Sequence, residues 1–256
     1  MRKKLGRDNI FLSFENYKKI VDSGNFRYVG LHGWGEPLLN HDIFEMIKYA
    51  ESKGISTNLT TNGTLIHEKI EHIFKSGLNE IAFGIYDKSL FFHILPKIEE
   101  LINEKRRNNF ARPKIYFDIT IYKENFTQIK EFLDIAHDLG VDAVILHRLF
   151  NVYNVDPRIE YISEREEKEL FAEVTEFSKF KRMELYLPSS HRLPCRYVKS
   201  SIFVTAYGNV TPCCFLPELY LGNAVEIGLK RIIRSKKYIE FVKGMSEHPV
   251  CSKCFW

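Results

Sequence analysis

The first 194 residues of the chain contain no cysteine, and all five cysteines of the 256-residue sequence lie in its last quarter. No stretch reaches the roughly 20 apolar residues that a membrane-spanning helix needs, and neither sign of charge dominates. The 37 Lys and Arg against 33 Asp and Glu give a net charge of +4, which is well short of the basic surface of a dedicated nucleic-acid binder. We therefore expect neither a membrane nor a nucleic acid as a partner.

The composition excludes several other protein classes. Hydrophobic residues make up 45% of the chain and charged residues 27%, which rules out intrinsic disorder, collagen-like repeats and disulfide-dense mini-proteins. The basic start Met1–Lys4 is followed by Leu5–Asn9, which lacks the apolar core of a signal peptide. A cytoplasmic globular protein is predicted, and in that reducing compartment clustered cysteines favour metal ligation over disulfides.

Helical and strand patterns alternate between residue 15 and about residue 150. Such alternation is typical of parallel βαβ units. Five strands are too few for a closed eight-stranded barrel, so an open or partial barrel is predicted. A helix comes first, so the strand that should precede it is missing. The five predicted strands are residues 27–31, 55–59, 80–86, 114–122 and 143–147.

The pattern changes after residue 150. Ser163 and Glu166 form a capping box that starts a charged helix, and a short apolar segment at residues 183–187 is compatible with one more strand. A β-hairpin at residues 201–211 and a helix at residues 227–243 are predicted beyond it. The chain is therefore divided into a barrel domain (1–150), a connecting helix and strand (151–190) and a small cysteine-rich β-hairpin and helix domain (191–256).

A glycine-rich segment follows the first predicted strand, at the edge where parallel α/β sheets bind ligands. Gly33 and Gly35 let the backbone turn sharply and approach a ligand closely. The carboxylate of Glu36, with Pro37 fixing the next turn, suits a cationic ammonium group. The alternative is a plain βα turn.

The second predicted strand ends on the same edge in the polar segment 60–64. Its hydroxyls and its amide suit a polar ligand such as a ribose. Alternatively, Asn62 and Gly63 only make the turn and Thr64 caps the next helix.

The cysteine spacing is the most specific pattern in the chain. Cys195 and Cys213 bracket a predicted hairpin, and Cys251 and Cys254 have two residues between them. A hairpin that presents two thiolates to a CxxC turn makes a four-thiolate site, which suits an iron–sulfur cluster or a structural zinc ion. Disulfides are a weaker alternative. Cys214, beside Cys213 in an extended segment, is expected to point away and to serve in packing.

Three segments together resemble the radical S-adenosylmethionine (radical SAM) superfamily: residues 33–38, residues 61–64 and residues 125–140. The tail, with its four spaced cysteines and Gly208, is similar to the Twitch or SPASM-type auxiliary cluster domain of that superfamily. The resemblance covers nearly the whole chain in the family's order. It implies a partial (β/α)6 TIM-type barrel, incomplete at the N-terminus, that binds S-adenosylmethionine (SAM) across the carboxyl ends of its strands.

The resemblance also implies functional residues. In the family, the Gly-Gly-Glu-Pro segment contacts the methionine amino group of SAM, and the tail cysteines hold one auxiliary [4Fe–4S] cluster. No further catalytic side chain is indicated. The implied cofactor-binding residues are Gly33, Gly35, Glu36, Pro37, Thr61 and Asn62, and the implied metal ligands are Cys195, Cys213, Cys251 and Cys254.

Two features depart from the family pattern. The family has a Ser-x-Asp-Gly-like segment after its fourth strand where this chain has Gly84–Asp87, so a hydroxyl that contacts SAM is absent or supplied elsewhere. The CxxxCxxC motif that ligates the radical cluster is missing, and Met1–Lys3 fall just beyond its expected place. Because the first strand is missing with it, we expect a truncated or mis-started sequence rather than decay by substitution.

The complete protein is expected to be a radical SAM enzyme. It would generate a 5′-deoxyadenosyl radical and abstract hydrogen from a peptide or a small alcohol or sugar, with flavodoxin or ferredoxin as the reductant. The chain as given lacks the radical-cluster cysteines, so that [4Fe–4S] cluster is expected only if upstream residues exist. The alternatives are a non-catalytic SAM- or peptide-binding member and a zinc-stapled α/β binding domain.

Overall fold

Six parallel strands in chain order form the main sheet, and helices connect them. The computed structural model describes residues 10–153, 157–189 and 192–254. The strands are β1 (Tyr28–Gly30), β2 (Ser56–Thr61), β3 (Glu80–Ile85), β4 (Lys114–Ile121), β5 (Ala143–Arg148) and β6 (Leu185–Tyr186). The helices around them are α1 (Phe14–Asp22), α2 (Ile43–Ser52), α3 (Ile66–Ser76), α4 (Lys88–Arg107), α5 (Ile129–Leu139) and α6 (Glu164–Lys181). This arrangement confirms the predicted α/β fold with a partial parallel barrel, including the sixth strand.

The two faces of the sheet differ because side chains alternate along each strand. Leu59, Phe83, Phe117 and Leu146 lie on the convex face and join the main hydrophobic core with the helices. The residues between them, including Asp118, face the concave side, which is the lumen of the partial barrel. The lumen therefore holds polar side chains beside a small apolar cluster of Ala82, Tyr116, Ala143 and Ile145.

Phe91 of α4 lies at the centre of the main core. Its ring makes edge-to-face contacts with Phe117 of β4 and Phe132 of α5, at centroid distances of 5.4 and 5.2 Å. Helix α4 continues through Pro96, and α3 and α5 each end at a glycine with positive φ, as their sequences predict.

A second, antiparallel sheet lies in the C-terminal region. Its strands are β7 (Phe203–Val204), β8 (Asn209–Thr211) and β9 (Gly222–Asn223), and β8 lies in the middle. The hairpin β7–β8 was expected from the sequence, whereas β9 was not. Short helices complete the region: α7 (Arg196–Ser200), α8 (Ala224–Ile227), α9 (Leu229–Ile233) and α10 (Lys236–Gly244).

The single helix predicted for residues 227–243 is wrong. Gly228 has a φ of 75°, which ends α8, and the side chain of Ser235 caps a new helix by accepting a hydrogen bond from the backbone N–H of Tyr238. The apolar period of the segment continues across both breaks, so the periodicity alone suggested one helix.

Helix α1 connects the barrel to the C-terminal region. Tyr17 and Val21 pack beside α2, while Ile20 packs with Val210 of β8. The side chain of Ser23 accepts a hydrogen bond from the backbone N–H of Leu229 at 3.3 Å. The first helix of the chain therefore contacts both parts of the molecule.

Some expectations concern residues that lie outside the described ranges. These are the assignment of Met1–Lys3 to the end of a cluster loop and the last two residues, Phe255 and Trp256. Within the described ranges, no helix combines the length and apolar character needed to cross a bilayer.

Replacing Phe91, which is 1% exposed, by Ala should lower the free energy of unfolding by about 3–5 kcal/mol, because it leaves a cavity among the core rings. Its neighbour Phe92 is 42% exposed, so Phe92→Ala is the matched control. Urea denaturation of both variants measures the difference, and equal losses would show that the core is not centred on Phe91.

Candidate cofactor site

The loop after β1 presents backbone to solvent at the carboxyl edge of the sheet. Gly33 and Gly35 are exposed there, and no atom lies within 4 Å of the position that a Cβ at Gly35 would occupy. At Gly33, an added Cβ would meet the ring of Phe203 at 3.0 Å. The loop thus leaves room for close approach of a ligand at Gly35, with the C-terminal region packed against Gly33.

The buried carboxylate of Glu36 joins two loops. Its Oε1 accepts hydrogen bonds from the backbone N–H of Leu38 at 3.0 Å and from the hydroxyl of Thr61 at 2.7 Å. Its Oε2 accepts one from the backbone N–H of Asn62 at 2.8 Å. The sequence suggested that this carboxylate suits an ammonium group. In the structure it is held by three donors of the chain and fixes the ends of β1 and β2 against each other.

The turn after β2 is tied together by its own polar groups. The hydroxyl of Thr61 accepts a hydrogen bond from the N–H of Gly63 at 3.1 Å, and Asn62 Oδ1 accepts two from Thr64, one from its N–H at 2.9 Å and one from its hydroxyl at 2.7 Å. Gly63 has a φ of 76°, and a Cβ there would meet Ile94 at 2.9 Å, so glycine is required. Thr64 does not cap α3, whose N-cap is Leu65.

A cavity of about 340 Å³ opens beside this edge. It is lined on one side by His32, Trp34 and Glu36 and on the other by Phe203 and Tyr207. The rings of Trp34 and Phe203 lie 4.7 Å apart. The cavity therefore has a wall from the barrel and a wall from the hairpin β7–β8.

The lumen holds a group of polar side chains that the sequence analysis missed. Each of the first five strands, or the turn that follows it, contributes one residue to this lumen cluster: His32, Asn58, Tyr86, Asp118 and His147. The alternation of residues along β4 does indicate a polar group in the lumen, because Asp118 stands between apolar residues that face the helices. A polar residue at that position of a buried strand must point into the lumen.

Two glycines make room for rings of the lumen cluster. A Cβ at Gly30 would lie 3.1 Å from the ring of His32, and one at Gly84 would lie 2.9 Å from the ring of Tyr86. Both rings thus fold back over the concave face. The departure noted at Gly84–Asp87 has a structural explanation here, since Asp87 caps α4 by accepting a hydrogen bond from Leu90 N–H at 2.8 Å.

The members of the lumen cluster influence each other electrostatically. Nε2 of His147 lies 3.2 Å from Oδ1 of Asp118. Burial raises the pKa of Asp118, and His147 opposes that shift. Burial and then the negative charge of Asp118 raise the pKa of Tyr86 to about 12. Burial also lowers the pKa of His32. A side-chain hydrogen bond with Asn58 partly offsets this shift, and the charge of His147 adds to it.

The four predicted metal ligands come together in the C-terminal region. Cys195, Cys213 and Cys251 pack in one small cluster with Met245, and Cys254 is near enough to raise the pKa of Cys251. Burial is the main cause of the raised pKa of Cys251, about 11. None of the five cysteines forms a disulfide. Within the described ranges, no three His, Cys, Asp or Glu side chains are arranged to hold a single metal ion.

Cys214 is placed differently from Cys213. It is absent from the cluster that contains Cys195, Cys213 and Cys251, but so is Cys254, and its place outside the ligand set stays a prediction. The expected extended segment is wrong, because residues 212–215 form a bend and a turn. Burial raises the pKa of Cys214 to about 11, and Cys254 adds to the shift.

The C-terminal region matches a protein-family model. Residues 195–255 match the SPASM family, described as an iron–sulfur cluster-binding domain. A "Tungsten-containing aldehyde ferredoxin oxidoreductase cofactor-modifying protein" of Pyrococcus furiosus is 22% identical, over 95% of this chain and 79% of the relative. The "PqqA peptide cyclase" of Gluconobacter oxydans is 23% identical, over 86% of this chain and 67% of the relative.

Solved structures share the fold. SuiB of Streptococcus suis bound to the precursor peptide SuiA matches with a TM-score of 0.73 at 18% identity, over 89% of this chain and 59% of that one. A structure of anSMEcpe with bound AdoMet matches with a TM-score of 0.68 at 15% identity, over 91% of this chain and 74% of that one. The match thus spans barrel and tail together. This chain is therefore similar to these proteins over most of its length. Its C-terminal part is a SPASM-type domain.

This chain spans about three fifths of the SuiB chain that it matches. The donor set of the SPASM region fits an iron–sulfur cluster, since four thiols come together there and thiolates are the usual ligands of such clusters. Which cysteines bind the cluster and which residues bind SAM are taken up as proposals below.

Replacing Glu36 by Gln should lower the free energy of unfolding by about 1–3 kcal/mol, because an amide NH2 would face a buried donor. Amide hydrogen exchange at Asn62 should become faster, since its N–H bonds to Glu36. The control is Glu45→Gln on the exposed side of α2, where Glu45 pairs with Lys48. Unchanged exchange at Asn62 in Glu36→Gln would contradict the described bonding.

His32 should make the protein less stable in acid. Although part of His32 is exposed, desolvation of its ring lowers its pKa below the ordinary 6.5, so the unfolded chain binds a proton at a pH where the folded chain does not. Stability from this source is present above pH 6.5 and falls as the pH drops through it. Denaturation of wild type and His32→Gln between about pH 7.5 and about pH 5.5 measures the effect. The wild type should lose more stability over that range, and equal losses would refute the shift.

Proposed function

We propose that the complete protein is a radical SAM enzyme that abstracts hydrogen from a peptide substrate, and that this chain supplies its SAM-binding edge and one auxiliary [4Fe–4S] cluster. The observation that carries the proposal is the joining of two strand ends by Glu36 beside a four-thiol SPASM-type region in one chain. A peptide substrate is supported by the relatives named for peptide cyclisation and for a bound precursor peptide.

The proposed cofactor residues act mainly through backbone geometry. Gly33 and Gly35 expose the loop, and Pro37 starts a short 3-10 helix. Glu36 holds the loop in place, and the turn at Thr61 and Asn62 completes the edge. The ammonium group of SAM would then meet the backbone of residues 33–36 rather than the Glu36 carboxylate, whose oxygens already accept three hydrogen bonds.

The proposed ligands of the auxiliary cluster are Cys195, Cys213, Cys251 and Cys254. When bound, such a cluster supplies one-electron chemistry. The residues around it exclude water, because Cys251 is buried and packs with Leu216. We further propose the domain division at residues 150 and 190, flavodoxin or ferredoxin as the reductant, and a cytoplasmic location.

One observation favours a second candidate, a SAM- or peptide-binding protein without radical chemistry. The sequence contains no CxxxCxxC motif, since all its cysteines follow residue 194. Three such cysteines are what the superfamily uses to hold the cluster that cleaves SAM. The two candidates therefore differ in whether the protein made in its own cell carries those ligands.

The deciding experiment uses protein purified anaerobically from its native cell. Intact mass and N-terminal sequence establish the chain, and chromatography after addition of SAM and a strong reductant measures 5′-deoxyadenosine. Formation of 5′-deoxyadenosine supports the enzyme. Binding of SAM without its cleavage would establish the second candidate, and no binding would refute both.

Cysteine substitutions test the metal site. Cys213→Ala should abolish iron and acid-labile sulfide in anaerobically purified protein, because it removes one of four ligands. Cys214→Ala is the matched control and should retain both. Iron loss in Cys214→Ala alone would show that the ligand assignment is wrong, and zinc without sulfide in the wild type would refute the cluster.

A further inference from the structure

Asp118 occupies the middle of the lumen cluster. It lies on β4 with a side chain that is 18% exposed, and the neighbouring His147 on β5 is 27% exposed. Their 3.2 Å contact is set by the sheet, because both residues point to the concave face of adjacent paired strands. A carboxylate held by an imidazole and still reached by solvent is an arrangement found at proton-transfer sites.

We propose that Asp118 is the general base of the reaction and takes the proton of a substrate hydroxyl group bound in the lumen, with His147 as its positioning residue. This inference rests on the proposed function, whose substrate it makes more specific. It concerns Asp118 and His147, which are neither among the proposed SAM-binding residues nor among the four cysteines.

The polar side chains of the lumen cluster can form hydrogen bonds with a hydroxyl group. Asn58 is 7% exposed, and its Oδ1 accepts no hydrogen bond within the described chain. Tyr86 adds a phenol that is held in its neutral form, since its pKa is about 12. The lumen cluster thus offers both acceptors and a donor, as a hydroxyl requires.

The same set of side chains argues against an acidic substrate group. The lumen cluster contains no Lys or Arg. Arg148 follows His147 on β5, so its side chain points to the opposite face of the sheet. It forms a bidentate ion pair with Glu167 of α6, with N–O distances of 2.7 and 2.9 Å. It also donates a hydrogen bond to the backbone oxygen of Ser189 at 2.7 Å. Its positive charge is therefore paired with Glu167 between β5 and α6.

The proton-transfer step balances simply. The O–H bond of the substrate breaks, its electron pair stays on the oxygen, and the proton bonds to a carboxylate oxygen of Asp118. The N–H at Nε2 of His147 keeps the carboxylate oriented. Oxidation of an alcohol to a carbonyl would also require the carbon to give up a hydrogen atom and an electron, and the proposed SAM-derived radical and auxiliary cluster would be the acceptors. Burial makes Asp118 a stronger base than a surface carboxylate.

Binding of three small probes to the cluster-loaded protein tests the proposal. The probes are N-acetyl-L-serine methylamide, which carries a peptide hydroxyl, glycerol, and N-acetyl-L-alanine methylamide, which lacks the hydroxyl. Ring and carboxyl NMR signals of His32 and Asp118 report binding. At least one hydroxyl probe should shift them more strongly than the alanine probe, and a preference for serine over glycerol would assign the hydroxyl to a peptide.

Asp118→Asn should weaken binding of the hydroxyl probe about tenfold, because a charge-assisted hydrogen bond becomes a neutral one. Glu45→Gln on the exposed side of α2 is the control, since Glu45 lies outside the lumen and pairs with Lys48. Equal binding of the serine, glycerol and alanine probes, or no change in Asp118→Asn, would overturn the proposal.

The positioning role of His147 has its own readout. Because His147 opposes the raised pKa of Asp118, His147→Leu should raise that pKa further in a carboxyl NMR titration. His147→Gln, which keeps an N–H donor, should restore part of the effect. An unchanged titration of Asp118 in His147→Leu would overturn that role.

SAM binding, measured in the same samples, separates the two claims. If the wild type binds SAM but does not distinguish the probes, only the inference about Asp118 fails. If it distinguishes the probes but does not bind SAM, the proposed function fails and the lumen is a hydroxyl-binding site of another kind.

Discussion

The hydrogen bonds that Glu36 accepts are the constraint on which the site depends. They join the loop after β1 to the turn after β2, and so fix two adjacent strand ends at one edge. Everything else at this edge follows from that connection: the exposed glycines, the left-handed turn at Gly63 and the cavity wall that faces Phe203. The sequence suggests that the Glu36 carboxylate is available to a ligand. In the structure this carboxylate instead holds the backbone that a ligand would contact.

The SPASM-type region is tied to the barrel rather than appended to it. Helix α1 packs against α2 and against β8, and the ring of Phe203 covers Trp34 and Gly33 in the loop after β1. The rings of Phe150 and Phe215 stack at 3.7 Å and link the end of β5 to the turn after the cysteines. These contacts hold the edge of the barrel and the cysteine-rich region against each other.

Local signals in the sequence predicted much of this fold. Apolar alternation identified the five long strands, and glycines after α3 and α5 marked their ends correctly. Such local signals could not predict contacts between segments that are distant in the sequence. The partners of Glu36 lie 25 and 26 residues away, and the lumen cluster takes one residue from each of five strands. The breaks at Gly228 and Ser235 were missed because the apolar period continues across them. Asp118 was predictable in part, since a charged residue inside an apolar strand signals a polar lumen.

The most direct test of the central claim is amide hydrogen exchange of the cluster-loaded protein with and without SAM. The account predicts slower exchange at residues 33–36 and 61–64, the two segments that Glu36 joins, with no change at the amino ends of β3 and β4. Protection that is absent from both segments, or that falls at the other end of the barrel, would contradict it.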